Sequence, residues 1–302
     1  YDELADGVGR RLAELTGAEW GMISSGCAAG MKHVTAACIT GGDPEKLIRI
    51  PDLKDFEKTE VIVPSYSRTA YDHALRNVGI EFVTVESPEE MSAATSDRTA
   101  MIYLVTGGAS DPGATLSLEV MAEIANPLGI PILADAAAEN LTVPNVHLQQ
   151  GADVVTYSGG KALCGPQCTG LVIGRKDLIL AAWQASAPHH GPGRDDKVGK
   201  EEIMGLLTAV ELWLERDHQA EWQVWLSRLD IISNKIKSIG GIETEIINPC
   251  GLSNRSPSLE IRWNDAICGI TGEELAEMVG RSKPRIALAA SDAINHSGIR
   301  IT

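Results

Sequence analysis

The chain has 302 residues, 44% of them hydrophobic, enough to bury the core of one large α/β domain with a smaller companion. Its 26 basic against 41 acidic side chains leave a net charge of −15, which opposes broad binding to nucleic acid or to an anionic membrane surface. No apolar run approaches the roughly 20 residues of a membrane span. The cysteines (Cys27, Cys38, Cys164, Cys168, Cys250, Cys268) lack the CxxC spacing of a zinc site and suit a reducing compartment, so a cytoplasmic protein with no metal is expected.

In chain order, Leu4, Val8, Leu12 and Leu15 form one apolar helical stripe that stops at Gly17. WGMISSG then reads as a short strand running into GCAAGMKHVTAACI, a glycine turn that opens a helix. TEVIVPS (59–65) reads as a buried strand, YSRTAYDHALRNVG (66–79) as a helix stopped by Gly79, and EFVTVE as the next strand. TAMIYLVTG (99–107) is a further strand, followed by SLEVMAEIANPLG as a helix with Ser117 placed to cap its start. GIPILAD (129–135), ADVVTYS (152–158) and TGLVIG (169–174) complete seven strands, and their alternation with helices predicts a mostly parallel seven-stranded sheet flanked by helices.

After the helix RKDLILAAWQ comes a loop rich in Gly, Pro and charge, ASAPHHGPGRDDKVGK, longer than a routine connector. Long helices follow. The expected organisation is a large α/β domain over 1–215, a linking helix over 216–239, and a small C-terminal α+β domain over 240–302. Both ends read as abrupt, so the small domain is expected to be incomplete.

The strand ends carry the chemistry, because open α/β sheets bind ligands at the carboxyl ends of their strands. Lys161 follows such an end in YSGGKALCGPQCTG, after Ser158 and two glycines. Alone it reads as a solvated lysine in a turn; in a partly desolvated cleft it is a nucleophile towards an aldehyde. Asp135 closes the strand before it, where a carboxylate can hold a pyridine nitrogen protonated or simply cap a helix. Ser25, Gly26, Cys27 and Ala28 form a small-residue turn whose helix start can cradle a phosphate, or merely allow tight packing, and Ser158 can add a hydroxyl.

The stretch YSGGKALCGPQCTGLVIGRKDLI, with PILADAAAE before it and DPGATLSLEVMAEIA earlier, resembles the selenocysteine-synthase-like family of pyridoxal-phosphate enzymes, in particular D-glucosaminate-6-phosphate ammonia-lyase-like proteins. The resemblance runs from the SSGCAAG turn to about residue 215. It implies fold type I, a Schiff base at Lys161 and Asp135 as the pyridine-nitrogen partner. It further implies phosphate contacts at Gly26, Cys27, Ala28 and Ser158, and a homodimer or larger homo-oligomer with active sites at subunit interfaces. Members of the family carry longer N- and C-terminal segments than this chain.

Candidates for the residue stacked on the ring are Tyr66, Tyr71 and His73, with His73 preferred. Tyr71 and His73 cannot both face one ring from a single helix. Arg68, Gln167, Arg194 and Lys197 are the candidate contacts to a small-molecule amino-acid substrate. Lys200, His189 and His190 lie in or beside the same loop as Arg194. The expected reaction is elimination of a β-hydroxyl from an amino acid, ending in a 2-keto acid and ammonia. Racemisation, aldol cleavage or transamination is the alternative, because one carbanion serves them all.

Overall fold

The computed structural model describes residues 1–264, 268–292 and 297–302. They divide into two compact units, Tyr1–Glu215 and Arg216–Thr302.

The strands of the first unit are β1 (Trp20–Ser24), β2 (Glu60–Pro64), β3 (Glu81–Val85), β4 (Thr99–Val105), β5 (Ile132–Asp135), β6 (Val154–Ser158) and β7 (Gly170–Gly174). They lie in the order β1-β7-β6-β5-β4-β2-β3. The pairs among β2 to β6 are parallel, and β7 runs antiparallel to both its neighbours. The connection explains the reversal: the segment between Ser158 and Gly170 holds no helix, and without a crossover element a chain returns antiparallel.

Alternation along the strands feeds two cores, one on each face of the sheet. Ile102, Leu104, Ala134, Val155, Tyr157 and Leu171 face one cluster, which also receives Val8 and Leu12 of the first helix, Asp2–Thr16. Met101, Tyr103, Leu133, Val154 and Val172 face the other, under the helix Gly26–Thr40. That helix approaches closely because its neighbours are glycines. A Cβ on Gly170 would stand 2.4 Å from the Gly26 carbonyl carbon and 2.6 Å from the Cys27 nitrogen.

The helix expected over 66–79 is not formed as such. A 3₁₀ turn at Ser65–Ser67 passes into extended backbone at Arg68, and only Asp72–Arg76 is helical. Local side-chain bonds outcompete the helix here. Asp72 accepts from the Thr69 N–H (3.1 Å) and from Arg68 (2.5 Å), the Thr69 hydroxyl oxygen accepts from the Tyr71 N–H (3.1 Å), and Ser67 Oγ accepts from the Val105 N–H (2.9 Å). Ser117 does cap its helix, accepting from the Val120 N–H at 3.3 Å, and the element runs Leu118–Ala125.

In the second unit, β8 (Ile242–Ile247), β9 (Ser258–Trp263), β10 (Ala289–Ala290) and β11 (Ser297–Ile301) form an antiparallel sheet in the order β10-β11-β9-β8. The helix His218–Ile236, expected as a linker, belongs to this unit and sends Leu229 into its core with Leu259, Ile261, Trp263 and Ile299. Among the described residues no helix is long and apolar enough to cross a membrane.

One polar feature of the first unit lies deep. His33, on the helix Gly26–Thr40, is 1% exposed, and neither ring nitrogen has a hydrogen-bond partner. Burial first, then the neighbouring Lys32 charge, drives its imidazole from 6.5 down to about 3. The unfolded chain therefore takes up a proton that the folded chain refuses, so stability falls as pH drops from 6.5 towards 3. His33→Leu is expected to flatten that dependence by up to ~1.4 kcal/mol per pH unit, read as urea-unfolding free energy across the window; an unchanged slope would refute the assignment. Gly170→Ala is expected to lower stability by about 1–3 kcal/mol at any pH, because the clash is with backbone that cannot move aside.

Candidate functional site

Cross-strand register gathers the site. Ser24 of β1 and Ser158 of β6 both pair with Gly170 of β7, so the ends of three neighbouring strands lie in one row. Next to them Asp135, the last residue of β5, pairs with Thr156 of β6 and with Val105 of β4.

The turn from β1 into the helix Gly26–Thr40 is shaped for an anion. Ser25 occupies the N-cap position, yet no side chain caps the helix start. Gly26 has φ +83° with open space where a Cβ would stand. Ser24 Oγ donates instead to the Gly26 carbonyl (2.8 Å), with the Gly170 carbonyl at 3.3 Å. The N–H groups of Gly26, Cys27 and Ala28 thus belong to a helix start that awaits an acceptor, with the positive end of the helix dipole behind them. Ser158 stands at the end of β6, half-buried.

Asp135 is 6% exposed. Its Oδ1 accepts from the Ala137 N–H (3.0 Å) and from the Cys27 thiol (3.3 Å), and its Oδ2 from the Tyr103 hydroxyl (3.3 Å). Burial pushes this carboxyl above its usual range, and those donors together with the Lys161 charge pull it back. Burial and the Asp135 charge push the Cys27 thiol and the Tyr103 hydroxyl upward, so both stay protonated and donate. Among the described residues no cation lies within ion-pair distance of Asp135.

Lys161 is exposed at the head of the turn after β6. Glycines seat that turn. A Cβ on Gly159 would meet Leu206 at 2.8 Å, one on Gly165 would meet the same side chain at 2.8 Å, and one on Gly205 would meet Pro166 at 2.7 Å. Leu206 and Gly205 belong to the helix Lys200–Glu215, so the lysine springs from a loop clamped to a helix. Gln167 packs against Gly160, where a Cβ would lie 2.7 Å from its Cα.

The remaining candidates lie as follows. His73 is exposed on the short helix Asp72–Arg76, Tyr71 is 63% exposed, and the Tyr66 hydroxyl donates to the Leu116 carbonyl at 2.8 Å. Arg68 already serves Asp72, Thr84 (2.8 Å) and the Phe82 ring (4.7 Å). Arg194, Lys197 and His190 are exposed in the loop after Ser186, while His189 Nδ1 faces the Trp183 carbonyl at 3.0 Å. Lys200 stands over the Tyr1 ring at 5.4 Å. No described contact joins His73, Arg194 or Lys197 to Asp135, Cys27 or Lys161. Tyr103 and Thr156 are neighbours of Asp135 and Cys27 that sequence reasoning passes over; the one available signal is a polar tip on Tyr103 within a mainly apolar strand.

Among the described residues no group of His, Cys, Asp and Glu could hold a metal ion. What does fit is a phosphorylated aromatic aldehyde with a basic ring nitrogen: an uncapped helix start for the phosphate, a buried carboxylate lacking a cation for the ring, and an amine on a braced loop for the aldehyde.

Comparison with known proteins bears on the same segment. A family model described as L-seryl-tRNA selenium transferase matches residues 114–245. The chain is 30% identical over 253 residues to the D-glucosaminate-6-phosphate ammonia lyase of Salmonella typhimurium (strain 14028s / SGSC 2262), covering 81% of this chain and 66% of that protein. It is 29% identical over 252 residues to a 5'-C-glycyluridine monooxygenase-decarboxylase of Streptomyces sp, covering 80% and 61%. The chain thus spans about two thirds or less of the length of these curated relatives. A solved structure of D-glucosaminate-6-phosphate ammonia-lyase is similar with TM-score 0.85 and 25% identity, over 99% of this chain and 80% of that one. The chain belongs to the selenocysteine-synthase-like family of fold-type-I enzymes, whose cofactor is pyridoxal 5'-phosphate.

Proposed function

We propose that this protein is a carbon–nitrogen lyase that removes water and then ammonia from an amino acid bearing a β-hydroxyl, with D-glucosaminate 6-phosphate or a related sugar amino acid as substrate. The observation that carries the reading is the buried Asp135, ringed by donors and lacking a cation, in the row of strand ends that also presents Ser158, the helix start at Gly26 and the Lys161 turn. The similarity to an ammonia-lyase over 99% of the chain supports the choice of reaction.

Bound in this site, pyridoxal phosphate supplies an aldehyde that holds the substrate amine and a ring that accepts the Cα electron pair. The residues do the rest. Gly26, Cys27, Ala28 and Ser25 with Ser158 would hold the phosphate, His73 would cover one face of the ring, and Asp135 would keep the ring nitrogen protonated. Lys161 would hold the aldehyde and, as a free amine, would take the Cα proton. The β-hydroxyl leaves as water, and water re-enters as ammonia departs, so hydroxy-amino acid becomes 2-keto acid plus ammonia. Arg194 and Lys197, with Gln167 beside the lysine turn, contact the substrate carboxylate or phosphate; Arg68 joins them only by giving up contacts it already makes. A cytosolic homo-oligomer with active sites at subunit interfaces completes the proposal, and the free cysteines accord with that compartment.

Similar identity to a monooxygenase-decarboxylase favours a second reading, in which the same lysine and carboxylate serve a different fate of Cα.

The purified holoenzyme is expected to absorb near ~420 nm, in a band that borohydride abolishes. Lys161→Ala should lose that covalent band and fall in turnover by ~10²–10⁴-fold; a variant that still fixes the cofactor on borohydride treatment places the linkage elsewhere. For the reaction itself, D-glucosaminate 6-phosphate and several D- and L-hydroxy-amino acids are incubated with holoenzyme, and ammonia, keto acid, carbon dioxide and enantiomer ratio are measured. Equal amounts of ammonia and keto acid are expected. Inverted enantiomer or carbon dioxide without keto acid would replace the lyase reading with racemisation or decarboxylation.

A further inference from the structure

Cys27 links the two ends of the site. Its backbone lies in the first turn of the helix Gly26–Thr40, at the anion-facing end, while its thiol reaches Asp135 Oδ1 at 3.3 Å and Thr156 Oγ1 at 3.1 Å. A thiol has a single hydrogen and an ionised carboxylate only accepts, so the hydrogen goes to Asp135 and the Thr156 hydroxyl faces the sulfur.

The acceptor sites of Asp135 can then be counted. A carboxylate offers roughly four. Ala137 N–H and Cys27 S–H fill Oδ1, and Tyr103 O–H takes one site on Oδ2. The vacancy is on Oδ2.

We infer that Cys27 is a positioning residue: together with Ala137 it saturates Oδ1, so that Oδ2 alone meets the proton of the cofactor's ring nitrogen, and its place in the phosphate turn ties that carboxylate to the anion-binding helix start. The inference rests on the reading of Asp135 as the ring-nitrogen partner. Tyr103 fixes the other edge of the carboxylate, since it lies on the same sheet face two residues before Val105, the register partner of Asp135.

Two consequences separate this role from simple packing. Removing the thiol deletes a donor that favours ionised Asp135, so the carboxylate takes up a proton at a higher pH and the ring pairing fails earlier on acidification. It also frees Oδ1 and lets the carboxylate rotate. Cys27→Ala is therefore expected to weaken cofactor binding to the apoprotein by about tenfold, the worth of one hydrogen bond to a charged group. The acid midpoint of the holoenzyme's visible band should move upward in the same variant. Cys27→Ser retains a donor and should restore both towards wild type. Loss of thermal stability with an unmoved midpoint would mark a purely structural thiol.

The contact can also be read without cofactor. The infrared S–H stretch, isolated as wild type minus Cys27→Ser, is expected to rise in frequency in Asp135→Asn, where a neutral acceptor replaces a charged one. An S–H band indifferent to Asp135→Asn, or a Cys27→Ala protein with unchanged cofactor affinity and midpoint, overturns the inference. If the band shifts while Asp135→Asn binds cofactor as tightly as wild type, the ring-nitrogen role of Asp135 is what fails, and the coupling through Cys27 fails with it.

Discussion

The proposed site depends on keeping one carboxylate charged where water is scarce. An unassisted carboxylate in apolar surroundings takes up a proton, because desolvation penalises the anion. Burial raises the Asp135 carboxyl, and three protein donors work against that rise; the sheet order explains the presence of one of them, Tyr103, and of Thr156 behind the Cys27 thiol. β5 lies at the middle of the order β1-β7-β6-β5-β4-β2-β3, with a parallel strand on each side. One neighbour brings Tyr103 and the other Thr156 to the same face, and an edge strand would have lost one of them.

Reaching that carboxylate from above requires a helix that sits unusually low. The helix Gly26–Thr40 does so through glycine at two levels. Gly170 admits the Gly26–Cys27 backbone, and about one turn on a Cβ at Gly30 would press on Val172 at 2.8 Å and on Ser24 Oγ at 3.0 Å. Only from such a height can a side chain as short as cysteine touch both Asp135 and Thr156. The two readings of SSGCAAG as an anion cradle and as a packing motif are therefore not rivals: the close packing brings the helix start to the row of strand ends.

The strand ends could be read from sequence, and with them Asp135, Ser158 and Lys161, because each follows an apolar run whose period needs no tertiary information. Seven strands and their mostly parallel sense followed from the same alternation. Tyr103 and Thr156 were out of reach for a definite reason. Which residues flank Asp135 depends on β4 and β6 pairing with β5, and pairing is a property of the fold that a single chain does not display. The segment 66–79 shows the opposite failure. Its spacing permits a helix, but Thr69, Asp72 and Arg68 satisfy one another locally and leave only Asp72–Arg76 helical. The ring-stacking and substrate-contacting residues were the least legible, since exposed His73, Arg194 and Lys197 obey no periodicity.

The helix that presents Cys27 also anchors the charged loop. Lys32, on that helix, holds Asp195 at 2.9 Å and Asp196 at 2.5 Å, and Gly193 passes so near His33 that a Cβ there would lie 2.3 Å from its Nε2. The Gly193 N–H further donates to the Ala185 carbonyl at 2.8 Å. Arg194 lies between Gly193 and Asp195, both of them fixed, so the backbone that carries it is held although its side chain is exposed. A buried, uncharged His33 is part of that fit: Gly193 lies against its Nε2, and the Asp196 carboxylate, 3.8 Å away, is already taken by Lys32. One helix thus carries the turn at Gly26, the thiol that contacts Asp135 and the lysine that holds the loop beside it, which makes its packing against β7 the constraint that all three share.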